Sequence, residues 1–255
     1  MSQERNKILQ RAKIRLAVDD DLADDGIVGL GASQAHYLRS VLRLNPADEV
    51  ALFNGRHGEW RARIDGIGKG WASLKLVAQS LPQVPEPDVW LLFAPIKRGR
   101  VDYLVQKATE LGVSALLPTT TRRTVVERIN LVRLATTAAE AAEQCGRLSV
   151  PELHPVRPLD KVLETWPDGR QLLFCDEAGG PPPLQALQPL PDGVDPGPWA
   201  VLIGPEGGFD ASEAAALRER PFVVPMSLGP RILRTETAAV AALSLWLAMR
   251  GDNRA

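Results

Sequence analysis

From Val89 onward the chain alternates short apolar runs with stretches whose apolar residues recur every three or four positions. The runs are VWLLFA (89–94), VSALLP (113–118), QLLFCDE (171–177), WAVLIG (199–204) and FVVPMS (222–227). Segments this short, apolar at consecutive positions, suit strands covered on both faces. Between them, RGRVDYLVQKATELG aligns Val101, Leu104, Val105, Ala108 and Leu111 in one stripe and puts Gly112 where a helix ends in a left-handed residue. Further helices are expected near 131–146, 158–165 and 210–219. The last begins at about Ala211, with Asp210 and Glu213 as a capping-box variant and Phe209 as its staple. Strands alternating with helices predict an α/β fold with a doubly covered parallel sheet. The final stretch, LRTETAAVAALSLWLAM, is apolar nearly all round, so it belongs in a core or an oligomer interface.

Before Val89 the pattern differs. Val50 to Phe53, Trp60 to Ile64 and Trp71 to Val77 read as short strands separated by glycine turns, the sign of a small β-barrel. A helix over SQAHYLRSVLR precedes them, with Tyr37, Leu38, Val41 and Leu42 on one face and Arg39 and Arg43 on another. SLPQVPEPD carries three prolines and no periodicity, as a semi-rigid connector would. The domains expected are therefore 1–80, a linker 81–88, and 89–255. Residues 178–198, rich in Pro and Gly, read as a loop.

Composition narrows the function. The 255 residues carry a net charge of −1, which excludes a globally basic nucleic-acid binder. Charge is uneven, however: eight Lys or Arg stand against three acids between Lys97 and Arg133, enough for a basic face. Two cysteines without a C-x-x-C, a charged N-terminus, and no run near the ~18 apolar residues of a membrane span point to a soluble, cytoplasmic protein. The three histidines lack metal-ligand spacing, so no metal is expected.

Three loops leave consecutive strand ends late in the chain: Asp176 onward, Gly204 to Gly208, and Ser227 to Arg234. In an open parallel sheet ligands collect at those ends. VLIGPEGGFDASE matches neither the P-loop nor the dinucleotide fingerprint, and Glu206 would repel a phosphate. Pro205 and Pro230 push Gly204 and Gly229 towards extended conformations, giving a rigid pocket lined by main chain. Such a pocket suits a flat adenine and a neutral ribose without phosphates, and S-adenosylmethionine is the leading candidate. Gly207 is expected to tolerate no branched side chain.

IGPEGGFDASE, SLGPRILRTETAAVAAL, KATELGV followed by LLPTTTRRTV, EAAEQCGR, and HYLRSVLRL with LFNGRHGEW closely resemble the small-subunit rRNA uridine-N3 methyltransferases called family E, in the SPOUT superfamily. The resemblance spans nearly the whole chain in order. It implies an N-terminal PUA-like β-barrel that binds RNA, and a C-terminal SPOUT-type α/β domain with a parallel sheet and a deep trefoil knot that binds S-adenosylmethionine. It implies 16S rRNA or the assembled small subunit as substrate, and a homodimer with each active site near the subunit interface. Carried onto this chain, the cofactor loops are Phe174 to Glu177, Ile203 to Gly208 and Met226 to Leu233. Within them Phe174, Ile203, Gly204, Pro205, Glu206, Gly207, Gly208, Met226, Ser227, Leu228, Gly229, Ile232 and Leu233 are the expected contacts.

Uridine N3 must lose a proton before it can take a methyl group. Glu206 and Glu236 are the candidate bases or acceptors, and Arg234 the cation for a developing uracil oxyanion. Glu236, in a first helical turn, equally suits the helix dipole. Arg39, Arg43, Arg61, Arg63, Arg122, Arg123, Gln144 and Arg147 are candidate RNA contacts, with Glu143 and Arg147 expected on one helix face. Two other functions stay open at this level: a SPOUT-type enzyme acting on tRNA or a ribose 2′-hydroxyl, and a non-catalytic RNA-binding protein.

Overall fold

A computed structural model of the chain describes residues 14–126, 128–188, 191 and 194–252. It divides into two compact units. One comprises the chain up to Pro85 together with Ala142–Val150, the other Glu86–Ala141 together with the chain from Pro151.

The first unit is a five-stranded sheet: β1 (Arg15–Ala17), β2 (Ile27–Leu30), β3 (Glu49–Phe53), β4 (Glu59–Gly68) and β5 (Trp71–Leu81), in the order β1-β3-β4-β5-β2. All neighbours are antiparallel except β1 and β3. β4 shows the expected period of two, with Trp60, Ala62 and Ile64 buried and Arg61 and Arg63 outside. β1 and β2 were not legible as strands, being short and flanking the acidic run near residues 19–25. They form the two edges of the ladder. The expected amphipathic helix is shorter: α1 (Ala32–His36) passes into a π-helical turn at Tyr37–Val41. The wider turn rotates the face, so Leu38 is buried while Tyr37 and Val41 are exposed.

A buried Arg15 draws Ala142–Val150 into this unit. Its Nε donates to Glu59 Oε2 at 2.6 Å, and its terminal nitrogens donate to the carbonyls of Ala142, Glu143 and Arg147. Burying a guanidinium is tolerable because all these acceptors converge on it.

The second unit is a parallel sheet in the order β12-β10-β11-β6-β7-β8. Its strands are β6 (Val89–Phe93), β7 (Ala115–Thr120), β8 (Glu152–Leu153), β10 (Gln171–Cys175), β11 (Trp199–Ile203) and β12 (Val223–Met226), with a two-residue β9 (Arg157–Pro158) pairing β7. The helices are α2 (Arg100–Glu110), α3 (Leu131–Cys145), α4 (Leu159–Glu164), α5 (Pro183–Leu187), α6 (Ala211–Arg218) and α7 (Thr235–Met249). The continuous apolar runs are explained by burial on both faces. Val89, Leu91, Phe93, Leu173, Val201 and Ile203 share one core with α2 and α7, while Leu92, Leu172, Phe174 and Leu202 share another with α4 and α6. α5 lies inside the stretch read as loop. Pro183 in its first turn presets the helical φ, which local composition alone did not reveal.

Capping of α6 follows the sequence with one change. Asp210 is the N-cap, but its carboxylate accepts from Ser212 N rather than from the residue after it. Phe209 joins the same core as Ala214, as a staple would. α7 is apolar because its own unit surrounds it: Leu243, Trp246 and Leu247 are buried there, and Thr237, Ser244 and Ala248 form the outward stripe.

Candidate active site

The loops after β10, β11 and β12 meet at one end of the sheet and enclose a cavity of about 480 Å³. Hydrogen bonds fasten them together. Thr235 Oγ1 donates to the carbonyl of Gly204 at 3.0 Å, Asp176 N to Met226 O, and Ser227 N to Pro181 O. Because the strands are parallel and adjacent, residues far apart in sequence end side by side there.

Ile203, Gly204, Pro205, Gly208, Ser227, Leu228, Gly229, Ile232 and Leu233 line the cavity. Four other expected contacts do not. Phe174 is buried in the core with its ring edge-on to Phe209 at 4.9 Å, and Met226 is fully buried. Glu206 and Gly207 are the central pair of the turn closed by Gly208 N donating to Pro205 O, and neither is among the lining residues. The lining also includes Gly179, Thr235 and Ala238, none of them among the expected contacts.

Protein atoms alone exclude a side chain at other glycines of these loops more strongly than at Gly207. A Cβ on Gly207 would meet only the Arg123 side chain, at 3.8 Å. On Gly204 it would lie 2.6 Å from the Phe209 ring, which Phe174 holds in place. Gly208 has φ +67 and would drive its Cβ into the Glu177 carboxylate. Gly229, expected to be extended, has φ +100, a conformation open to glycine alone at low cost.

Two carboxylates border the cavity with different fates. Asp176 is buried, accepts from Ala178 N at 2.9 Å, and is paired with Arg218. Glu177 lines the cavity and has no hydrogen-bond or ion-pair partner among the described residues. Cys175 is inert: burial pushes its thiol up to about 12, so no thiolate is present at neutral pH.

The candidate acids gather on a residue the sequence reading did not single out. Arg100, at the start of α2, places Nη1 3.6 Å from Glu206 Oε1 and Nε 3.8 Å from Glu236 Oε1. Glu236 is nearly covered, and its Oε2 is buried with no partner. Arg234 is the N-cap of α7, exposed, with no side-chain partner among the described residues.

The other candidate cations are dispersed. Arg122 donates to Asp210 Oδ1 at 3.1 Å and contacts Ser212 Oγ, while Arg123 donates to the carbonyl of Gly207 at 3.0 Å. Both fasten their loop to the glycine turn. Hydrogen bonds from Ser212 and Arg122 hold the Asp210 carboxyl below its usual range. Burial raises that of Glu213, despite the Arg122 amide donating to it. Arg61 and Arg63 share Glu49 across the strand pair. Arg39 and Arg43 are exposed, as is Gln144. Glu143 and Arg147 do not share a helix face, because α3 ends at Cys145 and Gly146 turns the chain at φ +84. Arg147 donates to Ser149 Oγ. Among the described residues no cluster of potential metal ligands occurs, and no helix is long and apolar enough to cross a membrane.

The fold has known counterparts. An RNA methyltransferase domain matches residues 84–247, and an RNA methyltransferase PUA domain matches 30–77. Ribosomal RNA small subunit methyltransferase E of Synechocystis is 32% identical over 233 residues, covering 90% of this chain and 76% of that protein. The protein of the same description from Rickettsia conorii is 29% identical, covering 90% and 93%. The crystal structure of a ribosomal RNA small subunit methyltransferase E from Neisseria gonorrhoeae, bound to S-adenosyl methionine, superposes with a TM-score of 0.80 at 28% identity, over 94% of this chain and 98% of that one. With both domain types matched in order and relatives aligned over most of their length, the chain belongs to the ribosomal RNA small subunit methyltransferase E family.

Proposed function

We propose that the protein is an S-adenosylmethionine-dependent methyltransferase that methylates N3 of a specific uridine in 16S rRNA of the small ribosomal subunit. The carrying observation is the cavity at the ends of β10, β11 and β12. Its main-chain walls, with Glu177 free to accept from two ribose hydroxyls, suit a nucleoside without phosphate. Gly204 supports the fit, since its lack of a side chain leaves the cavity wall to the backbone and the Phe209 ring.

S-adenosylmethionine, when bound, supplies an electrophilic methyl group on a sulfonium. The protein's task is to orient uracil and accept its N3 proton. Glu236 suits the acceptor role, because Arg100 neutralises one carboxylate oxygen while the other is buried without a partner. Glu206, on the same guanidinium, is the second acceptor candidate. Arg234, without an internal partner, is free to stabilise charge developing on a uracil carbonyl oxygen. The N-terminal unit is assigned to RNA. A homodimer rests on the family resemblance alone, since the apolar side chains of α7 are consumed within their own unit. The cytoplasm is the compartment proposed.

The test joins calorimetric titration with S-adenosylmethionine to nucleoside mass spectrometry after single-turnover reaction with 16S rRNA and with assembled small subunits. Micromolar or tighter cofactor binding and 3-methyluridine are expected. A 2′-O-methyl product, modification of tRNA alone, or no cofactor binding would overturn the reading.

A further inference from the structure

A second cavity, of about 250 Å³, opens beside the loop that joins β6 to α2, with Arg98, Arg128, Arg133 and Asn130 around apolar Ile96 and Val101. Arg133 is paired with Asp102. Arg98 and Arg128 are exposed and have no side-chain partner among the described residues. Among the described residues, three guanidiniums thus border one space with a single neighbouring carboxylate, a local excess of positive charge in a protein whose net charge is −1. A third cavity shows the contrast: it also has two arginines, Arg122 and Arg220, but Asp160 and Glu213 line it with them. Unpaired arginines sharing a concave space are disfavoured by mutual repulsion unless an anion joins them, and the planar guanidinium fork matches phosphate oxygens.

Two residues past Arg98, the same loop delivers Arg100 to Glu206 and Glu236. The backbone between Arg98 and Arg100 spans at most about 7 Å, so a group held by Arg98 lies on the same short segment that reaches Glu206 and Glu236.

We propose that this cavity binds a backbone phosphate of the RNA substrate, anchoring the strand next to the nucleotide that enters the active site. The assignment rests on the reading of the chain as an rRNA methyltransferase. Arg98 and Arg128 supply the charge, and Asn130 an amide donor. Such a contact carries no sequence information; it sets register, so that base recognition is left to the site itself.

The experiment measures equilibrium binding of a 16S rRNA transcript to the wild-type protein, Arg98→Ala, Arg128→Ala, the double variant and Arg98→Lys/Arg128→Lys, between 50 and 200 mM salt. Cofactor affinity is measured in parallel as a check on folding. Each Ala substitution is expected to raise the RNA Kd on the order of tenfold at low salt and to flatten the salt slope by about 0.7 to 0.9. The Lys pair should recover most of the slope, and cofactor affinity should not move. An unchanged Kd and slope in the double variant, with cofactor affinity intact, overturns the proposal while leaving the methyltransferase reading standing. Slope changes as expected in a protein that forms no 3-methyluridine would instead remove the proposed reaction and keep the phosphate site.

Discussion

The guanidinium of Arg100 reaches the carboxylate of Glu236, with Nε 3.8 Å from Oε1, and so joins the start of α2 to the first turn of α7. Glu206, from the glycine turn, lies on the same group at 3.6 Å. One cation thus holds two carboxylates that follow the cavity-lining Pro205 and Thr235 in sequence.

Arg100→Ala should therefore lower single-turnover methylation on the order of tenfold at saturating RNA and cofactor, because the carboxylates lose their common anchor. Arg100→Lys keeps charge without the fork and should recover part of the rate. Cofactor affinity by calorimetry should stay within about twofold, since Arg100 does not line the cavity. A normal rate in Arg100→Ala would remove it from the site.

Glu236→Gln and Arg234→Ala separate proton acceptance from charge stabilisation. Each is expected to cost a factor on the order of 10² in single-turnover rate with RNA affinity retained. If Glu236→Gln reacts normally while Glu206→Gln does not, the acceptor is Glu206.

Gly204→Ala should weaken S-adenosylmethionine binding by about 1–3 kcal/mol, roughly 5- to 150-fold, because its Cβ would stand 2.6 Å from a ring that Phe174 holds in place. Gly207→Ala, with only Arg123 nearby, should bind within about threefold of wild type. The reverse order of affinities would mean the turn is read the wrong way round.

Asp210 makes a pH-dependent contribution to stability. Its carboxyl is held below the ordinary 3.8 by Ser212 and Arg122, so folding favours the charged form. The stabilisation is present above that value and is lost as pH falls through the depressed one. Urea unfolding of wild type and Asp210→Asn should show a gap in midpoint at pH 7 that closes progressively below about pH 4. A gap independent of pH would assign the effect to the cap alone.

The homodimer is checked by sedimentation at micromolar concentration, where a dimer is expected. A monomer would confine the whole site to one chain.

Much of the second unit was legible because period-two and period-3.6 patterns are local and strong. All five apolar runs are strands, and the helix from Arg100 to Glu110 carries the expected stripe. β1, β2 and α5 were not legible. Three to five residues hold too little pattern, and their strand or helix state is settled by what they pair with or pack on. Arg15 is a clear case, since nothing near it in sequence forecasts a buried ion pair with Glu59.

The sequence by itself determined that GPEGG and SLGPRIL are turns at strand ends, because glycine, proline and the apolar runs before them restrict the backbone directly. Tertiary structure alone decided which residues of those turns face the cavity. It closed the turn with Gly208 rather than Gly207, withdrew Phe174 and Met226 into the core, and brought Arg100 to Glu206 and Glu236. Backbone preference acts within a few residues, whereas the direction of a side chain and the meeting of distant charges depend on the order in which strands lie in the sheet.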